Sequence, residues 1–384
     1  MKLTGTIIKG VADCFVIWQH ELRNVLKDIG VVLMFIIVPI VYPILYGTIY
    51  NTETIREVPL IVVDESHSSL AREFVRKIDA TADVQVFAYA SSLEEAREMV
   101  NRKKAYGILL IPSDFSRKIN RGEQAVTALY ADMSGLLFYK AILLATTEAS
   151  FEMGHEIHIQ QEAPLSYESV PFYNTQNGFA SFLLPAILIL VIQQTLLLGI
   201  SILVATTRER NRGRLVPAED VYTGTFRIIF GKVLAYLTIY VFVCIWALVI
   251  VPHLFHIPQL TNYGTLLLFN LPYLLACIFF AMVIATFIRG RETPMMVLVF
   301  TSLPFLFISG VSWPLSAMPG FWRYFGYLVP STFGIQGFVK INSMGASLWE
   351  TAFEYRMLWL QAGIYFVIAC LIYGRELHKA KHLR

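Results

Sequence analysis

Charge is scarce in this sequence. Only 15% of its 384 residues are Asp, Glu, Lys or Arg, against 56% hydrophobic, where a soluble globular chain carries roughly a quarter charged. That scarcity excludes an ordinary soluble domain. Cysteine is scarce too: Cys14, Cys244, Cys277 and Cys370 all lie outside the long hydrophilic stretch 51–177, so whatever folds there does so without disulfides. A Walker A motif is missing. In "FGKV" at 230–233, Phe226 stands where the first glycine belongs and Val233 where Ser or Thr should follow Lys232. "GVSWP" around Ser312 lacks the second glycine of a nucleophile elbow. No nucleic-acid footprint is present either, since Lys and Arg sit where membrane topology alone would put them.

What the chain does have is apolar length. Runs at 29–50, 178–206, 229–251, 264–288, 293–311 and 357–374 come close to or exceed the roughly 20 residues that cross a bilayer. The first starts late and no small-residue cleavage motif follows it, so it reads as an anchor rather than a leader. With the N-terminus inside, the short segments on the cytoplasmic side hold sixteen Lys and Arg and those outside only three, as retention of positive charge in the cytoplasm requires. The expected fold is an α-helical polytopic membrane protein with six transmembrane helices and an inserted extracytoplasmic α/β domain, both termini being cytoplasmic. Segments 1–28, 207–228 and 375–384 then face the cytoplasm, and 51–177 and 312–356 face out.

The block 51–177 holds 18 acidic and 12 basic residues, a net −6 that leaves +9 for the rest. Short β-branched or aromatic runs at 58–63, 84–89, 106–111 and 125–131 read as strands. Helical segments lie between them, the second opening with Ser92 and Glu95 at capping-box spacing, so an α/β domain with parallel pairing is expected. Residues 134–163 are helical but too polar for a seventh span, and read as a stalk. Within them His155 and His158 lie near Glu152 and Glu156. The spacing is not H-E-x-x-H, and a solvated helix face accounts for it better than a metal site.

Before the first run, Val11, Phe15, Trp18, Leu22 and Val25 recur at helical spacing. They make either an interfacial amphipathic helix or a short helix packed on the protein. Apart from Lys232 near one end, no ionisable residue lies in the body of any apolar run. Ion-driven carriers place such groups at membrane depth, so the energy source is expected elsewhere. Neutral polar residues do occur there: Gln193, Gln194, Thr195 and Ser302 either line a pathway or hydrogen-bond between helices.

The stretch "FISGVSWPLSAMPGFWRYFGYLVPSTFG" at 307–334 is apolar yet broken by proline and glycine. Irregular backbone at membrane depth survives only where protein or a cavity surrounds it, so a re-entrant hairpin at an outer mouth is expected. Ser309 and Gly310, then Pro314, Met318, Pro319 and "VPSTFG", resemble the signature of type-2 ABC transporter permeases, in the drug-exporter-like branch with a large external domain. "RERNRGRL" at 208–215 resembles that family's cytoplasmic coupling segment, and "HELRNVLKDIG" at 20–30 its N-terminal elbow helix.

The resemblance implies a non-enzymatic permease half in a bacterial inner membrane that exports an amphipathic, drug- or lipid-like substrate, as in multidrug efflux. It would pair with a second copy or a sister permease and with a separate ABC ATP-binding subunit. That subunit binds the ATP, so no cofactor is expected in this chain. Membrane lipid and a periplasmic adaptor are the further partners it allows. Carried onto this sequence, coupling to the ATPase falls to Glu21, Arg23, Glu209, Arg210, Arg212 and Gly213. The outer gate falls to Ser309, Gly310, Pro314, Met318, Pro319 and Pro330. The alternative is a membrane-anchored sensor with an extracytoplasmic ligand-binding domain. It is disfavoured because the longest cytoplasmic segment, about 30 residues, is below the roughly 50 of a small output domain.

Overall fold

The computed structural model describes residues 2–50, 55–131, 136–157, 179–216 and 224–382. The chain divides into two compact units, one of residues 1–51 with 172–384, the other Thr52–Pro171.

The first unit is helical. α1 (Lys2–Lys27) is followed at Asp28 by α2 (Ile29–Ile49), which contains a π-turn at Leu33–Ile37. Asp28 caps α2, its Oδ1 accepting from the Gly30 amide at 3.1 Å. Beyond the second unit come α7 (Phe179–Arg210), α8 (Thr225–Leu254, with a π-turn at Trp246–Ile250) and α9 (Tyr263–Ala285). Then follow α10 (Thr293–Ile308), α11 (Gly320–Gly326), α12 (Pro330–Met344) and α13 (Ala352–His382). Among the described residues, α2, α7, α8, α9 and α13 are long and apolar enough to cross a membrane. The fifth expected run yields only the 16 residues of α10. Its helix stops because Ser309 turns back to hydrogen-bond Leu306 and Gly310 adopts φ +92°, a left-handed conformation natural to glycine.

α7 and α9 make the centre of this unit. Of their most apolar windows 83% and 72% are buried, against 22% for α2 and 28% for α13. A helix apolar all round belongs in such a middle position. α12 packs beside both by close approach: a Cβ at Gly334 would lie 2.5 Å from the Tyr273 ring of α9 and 3.3 Å from Ile189 of α7, and one at Gly337 2.3 Å from Phe269 of α9. Small residues of this kind let helices meet where the surroundings supply no hydrophobic drive.

The second unit carries a four-stranded sheet, β1 (Val58–Asp64), β2 (Val84–Tyr89), β3 (Gly107–Ile111) and β4 (Ala128–Ala131), in the order β2-β1-β3-β4. The intervening helices are α3 (Ser69–Asp79), α4 (Leu93–Asn101) and α5 (Phe115–Asn120), and α6 (Leu136–Ile157) follows the sheet. β1 alternates between two cores. Leu60 and Val62 pack with Phe74, Val75 and Ile78 of α3 and Ile142 of α6, while Ile61 and Val63 pack with Ala96 of α4. Ser92 caps α4, its Oγ accepting from the Glu95 amide at 3.2 Å, while the Glu95 carboxylate accepts from the Ser91 amide at 2.9 Å rather than from that of Ser92 as a capping box would. The pairing departs from a parallel sheet at one strand, because β4 runs antiparallel to β3. The six residues of α5 rise only about 9 Å, roughly half the length of β3, and do not carry the chain back to the far end of the sheet.

Candidate functional site

Two constellations stand out, one at the helix ends near Asp28 and one around Gln193, midway along α7. The first joins the N-terminal end of α2 to the ends of α7, α9 and α10. The second carboxylate oxygen of Asp28 accepts from Thr206 Oγ1 at 2.9 Å and from Arg291 at 2.7 Å. Arg291 also donates to Thr206 and pairs with Glu209 at 3.3 Å. Arg208 donates to the Thr286 carbonyl at 2.8 Å and to that of Ile288, satisfying carbonyls that the end of α9 leaves open.

α1 lies across the first half of α8 and is fastened by charge. Arg227 pairs with Asp13, and Trp18 donates to Thr238 at 3.2 Å. Between these, Glu21 Oε1 accepts from Lys232 Nζ and from the Tyr236 hydroxyl, each at 2.5 Å, with both charged side chains almost wholly buried. Burial alone would push the Glu21 carboxyl up. The Lys232 ammonium, with hydrogen bonds from Lys232 and Tyr236, outweighs it and holds the group below its ordinary value. The apolar residues Val11 and Phe15 stay exposed, while Ile17, Glu21 and Val25 turn inward.

The coupling residues expected from sequence therefore divide. Glu21 is buried, while Arg23, Glu209, Arg210, Arg212 and Gly213 are exposed. Arg212 and Gly213 take left-handed φ values of 53° and 86°, and Gly213 closes the end of α7 by donating to the Arg208 carbonyl at 2.7 Å. Residues 217–223 of the same loop lie outside the described residues. Sequence reasoning missed Asp28, Thr206, Arg291, Lys232 and Tyr236 as members. One signal was available, because a lysine inside an apolar run requires a partner.

The second constellation surrounds α12. Its first amides have no side-chain cap of their own. Gln193 of α7 supplies one, Oε1 accepting from the Ser331 amide at 2.6 Å in a fully buried setting. Tyr240 donates to Thr195 at 3.0 Å, and Gln194 lies 3.4 Å from Thr301. Ser302 is half-buried. Three of the four expected pathway residues are thus spent in bonds between helices. Where α7 faces α10, at Gln194, Ser201 and Val297, the crevice has no room for a water molecule.

Of the expected gate residues, Ser309 and Pro330 are buried, Met318 is half-buried, and Pro314 and Pro319 are exposed. Ser309 is bound to the far arm, Gln336 donating to its carbonyl at 3.1 Å, and Gly310 is half-buried beside it. The hairpin runs from Gly310 through α11 to Pro330, which lies beside Gln193 midway along α7. α12 then returns to the turn at Leu260, whose amide donates to the Asn342 carbonyl at 2.9 Å. Phe321, Trp322 and Tyr324 of α11 are exposed.

In the second unit, Glu152 and Glu156 both pair with Lys77 at 2.9 Å. His158 lies outside the described residues.

A family model described as "ABC-2 family transporter protein" matches residues 29–371. No curated protein and no solved structure matches the chain.

Proposed function

The chain belongs to the ABC-2 family of transporter proteins, and from that premise we propose that it is the membrane permease of an ATP-driven exporter in a bacterial inner membrane. The permease is non-catalytic and works with a separate ATP-binding subunit and a second permease half, identical or sister. Its substrate is amphipathic or hydrophobic, drug- or lipid-like, matching apolar runs whose bodies hold no Asp, Glu, Arg or His and only Lys232, near one end.

The observation that carries this reading is the Asp28 constellation. One carboxylate ties the start of α2 to Thr206 and Arg291, and Arg291 reaches Glu209 at the start of the exposed Arg210–Gly213 turn. A push on that turn is transmitted to three helix ends at once. The elbow α1, locked to α8 through Glu21 and Lys232, moves with them. In this reading the hairpin from Gly310 to α12 serves as the gate of an outer exit. The positive-inside count puts the Asp28 end in the cytoplasm and the Thr52–Pro171 unit outside.

The test is a tagged pull-down from gently solubilised native membranes with ATP hydrolysis assayed in the eluate. A stoichiometric subunit with a Walker A motif is expected, and E209K with R210E should abolish stimulated hydrolysis while leaving the fold intact. A chain recovered alone, without ATPase activity, overturns the reading.

A further inference from the structure

The Thr52–Pro171 unit contains a cavity of about 290 Å³ between α3, α5 and α6. Phe74 and Phe115 stack at 5.9 Å between ring centres, and with Met153 they give it an apolar floor. Its opening is kept by glycine. Gly154 lies inside α6, and a Cβ there would meet nothing within 4 Å. Glycine is among the poorest helix formers, and no neighbouring chain requires its smallness at this position. What its absent side chain leaves is space in the cavity.

Among the described residues lining the cavity, Glu123 is the only charged one. It is exposed, and its carboxylate has no ion-pair partner among the described residues. Of the lysines on the surrounding helices, Lys77 pairs with Glu152 and Glu156 and Lys118 with Asp114 at 2.8 Å, and neither these nor Lys140 lines the cavity. Arg121, in the turn before Gly122, is not among the lining residues. Aromatic faces, a polarizable thioether and one free carboxylate suit an apolar body bearing a single positive charge. The surrounding segment 51–177 carries net −6, which favours approach of such a molecule.

We propose that this cavity is a binding site for a small amphipathic cation, an aryl or alkyl amine seated on Phe74, Phe115 and Met153 with its ammonium at Glu123. The site is separate from the Asp28 and α12 constellations, and its occupation neither requires nor tests the permease reading.

The experiment uses the full chain in lipid nanodiscs, without ATP or partner subunits, and ligand-observed saturation-transfer NMR corrected against empty nanodiscs. The probes are 4-phenylbutylamine and its neutral analogue 4-phenylbutanol. Saturable amine binding is expected, with E123Q weakening it about fivefold, to the level of the alcohol. G154L should remove saturable binding of both probes, and S150W, which fills the cavity from the adjacent turn, should do the same if G154L lowers the thermal midpoint. Equal binding of amine and alcohol in the parent chain, no saturable binding at all, or binding that survives both filling variants would each overturn the proposal.

Discussion

Glu21 and Lys232 lie 211 positions apart and meet almost out of contact with water. Removing one partner leaves the other as an uncompensated buried charge, which costs about 3–5 kcal/mol, whereas replacing both with apolar groups of similar volume is often neutral. K232M alone should therefore lower the thermal midpoint of the detergent-solubilised chain sharply, and E21M with K232M should recover most of the loss. A double variant no more stable than K232M would show that the pair is not the cause. The sign of the pH effect follows from the same contact. Because the carboxyl is held below its ordinary value of 4.5 in the folded chain, its contribution is complete above that value and disappears as pH falls through the folded one. Midpoints measured from pH 7 downward should stay level until about 4.5 and then fall more steeply in the parent than in E21Q. The pair was only half legible in sequence. Lys232 was visible as the exception in an apolar run, but an acid in an amphipathic helix offers no local sign that it is the partner.

The elements that sequence located well are those whose cause is local. Apolar length locates α2, α7, α8, α9 and α13, and a serine–glutamate cap locates α4. α12 was not singled out, because "PSTFGIQGFVKINSM" is too polar and too glycine-rich to read as an inner helix. Its stability comes from elsewhere in the chain: Gln193 on its first amides, Gln336 on Ser309, and rings lying over its glycines. Two predictions belong here. G337A should cost about 1–3 kcal/mol by forcing Phe269 aside, while G363A in α13, where a Cβ meets nothing within 4 Å, should be neutral or slightly stabilising. Comparable losses in both would show that the Phe269 contact does not set the cost, because helix propensity alone favours alanine over glycine at either position. Q193L should leave the buried Ser331 amide unpaired, at about 1–3 kcal/mol. A midpoint unchanged within error would mean that α12 finds its cap elsewhere.

For the whole molecule, the alternation of helix ends is the strongest constraint. Asp28, Thr206, Glu209 and Arg291 come together from the start of α2, the end of α7 and the start of α10, so one side of the membrane must receive them all. With the four native cysteines replaced, a thiol placed by E94C in the Thr52–Pro171 unit should react with an impermeant maleimide in intact spheroplasts, and one placed by R210C only after permeabilisation. The opposite pattern would invert the topology and remove the ATPase from the proposed coupling end. α10 carries a different consequence. Sixteen helical residues rise roughly 24 Å, several ångströms less than a typical hydrocarbon core. With α10 as the sixth span that the sequence leads one to expect, the bilayer beside it would have to thin, or its lipids tilt to meet it. A thinned patch is a place where lipid order is already disturbed and where an amphipathic molecule enters at lower cost, so turnover in proteoliposomes should decline as the acyl chains are lengthened.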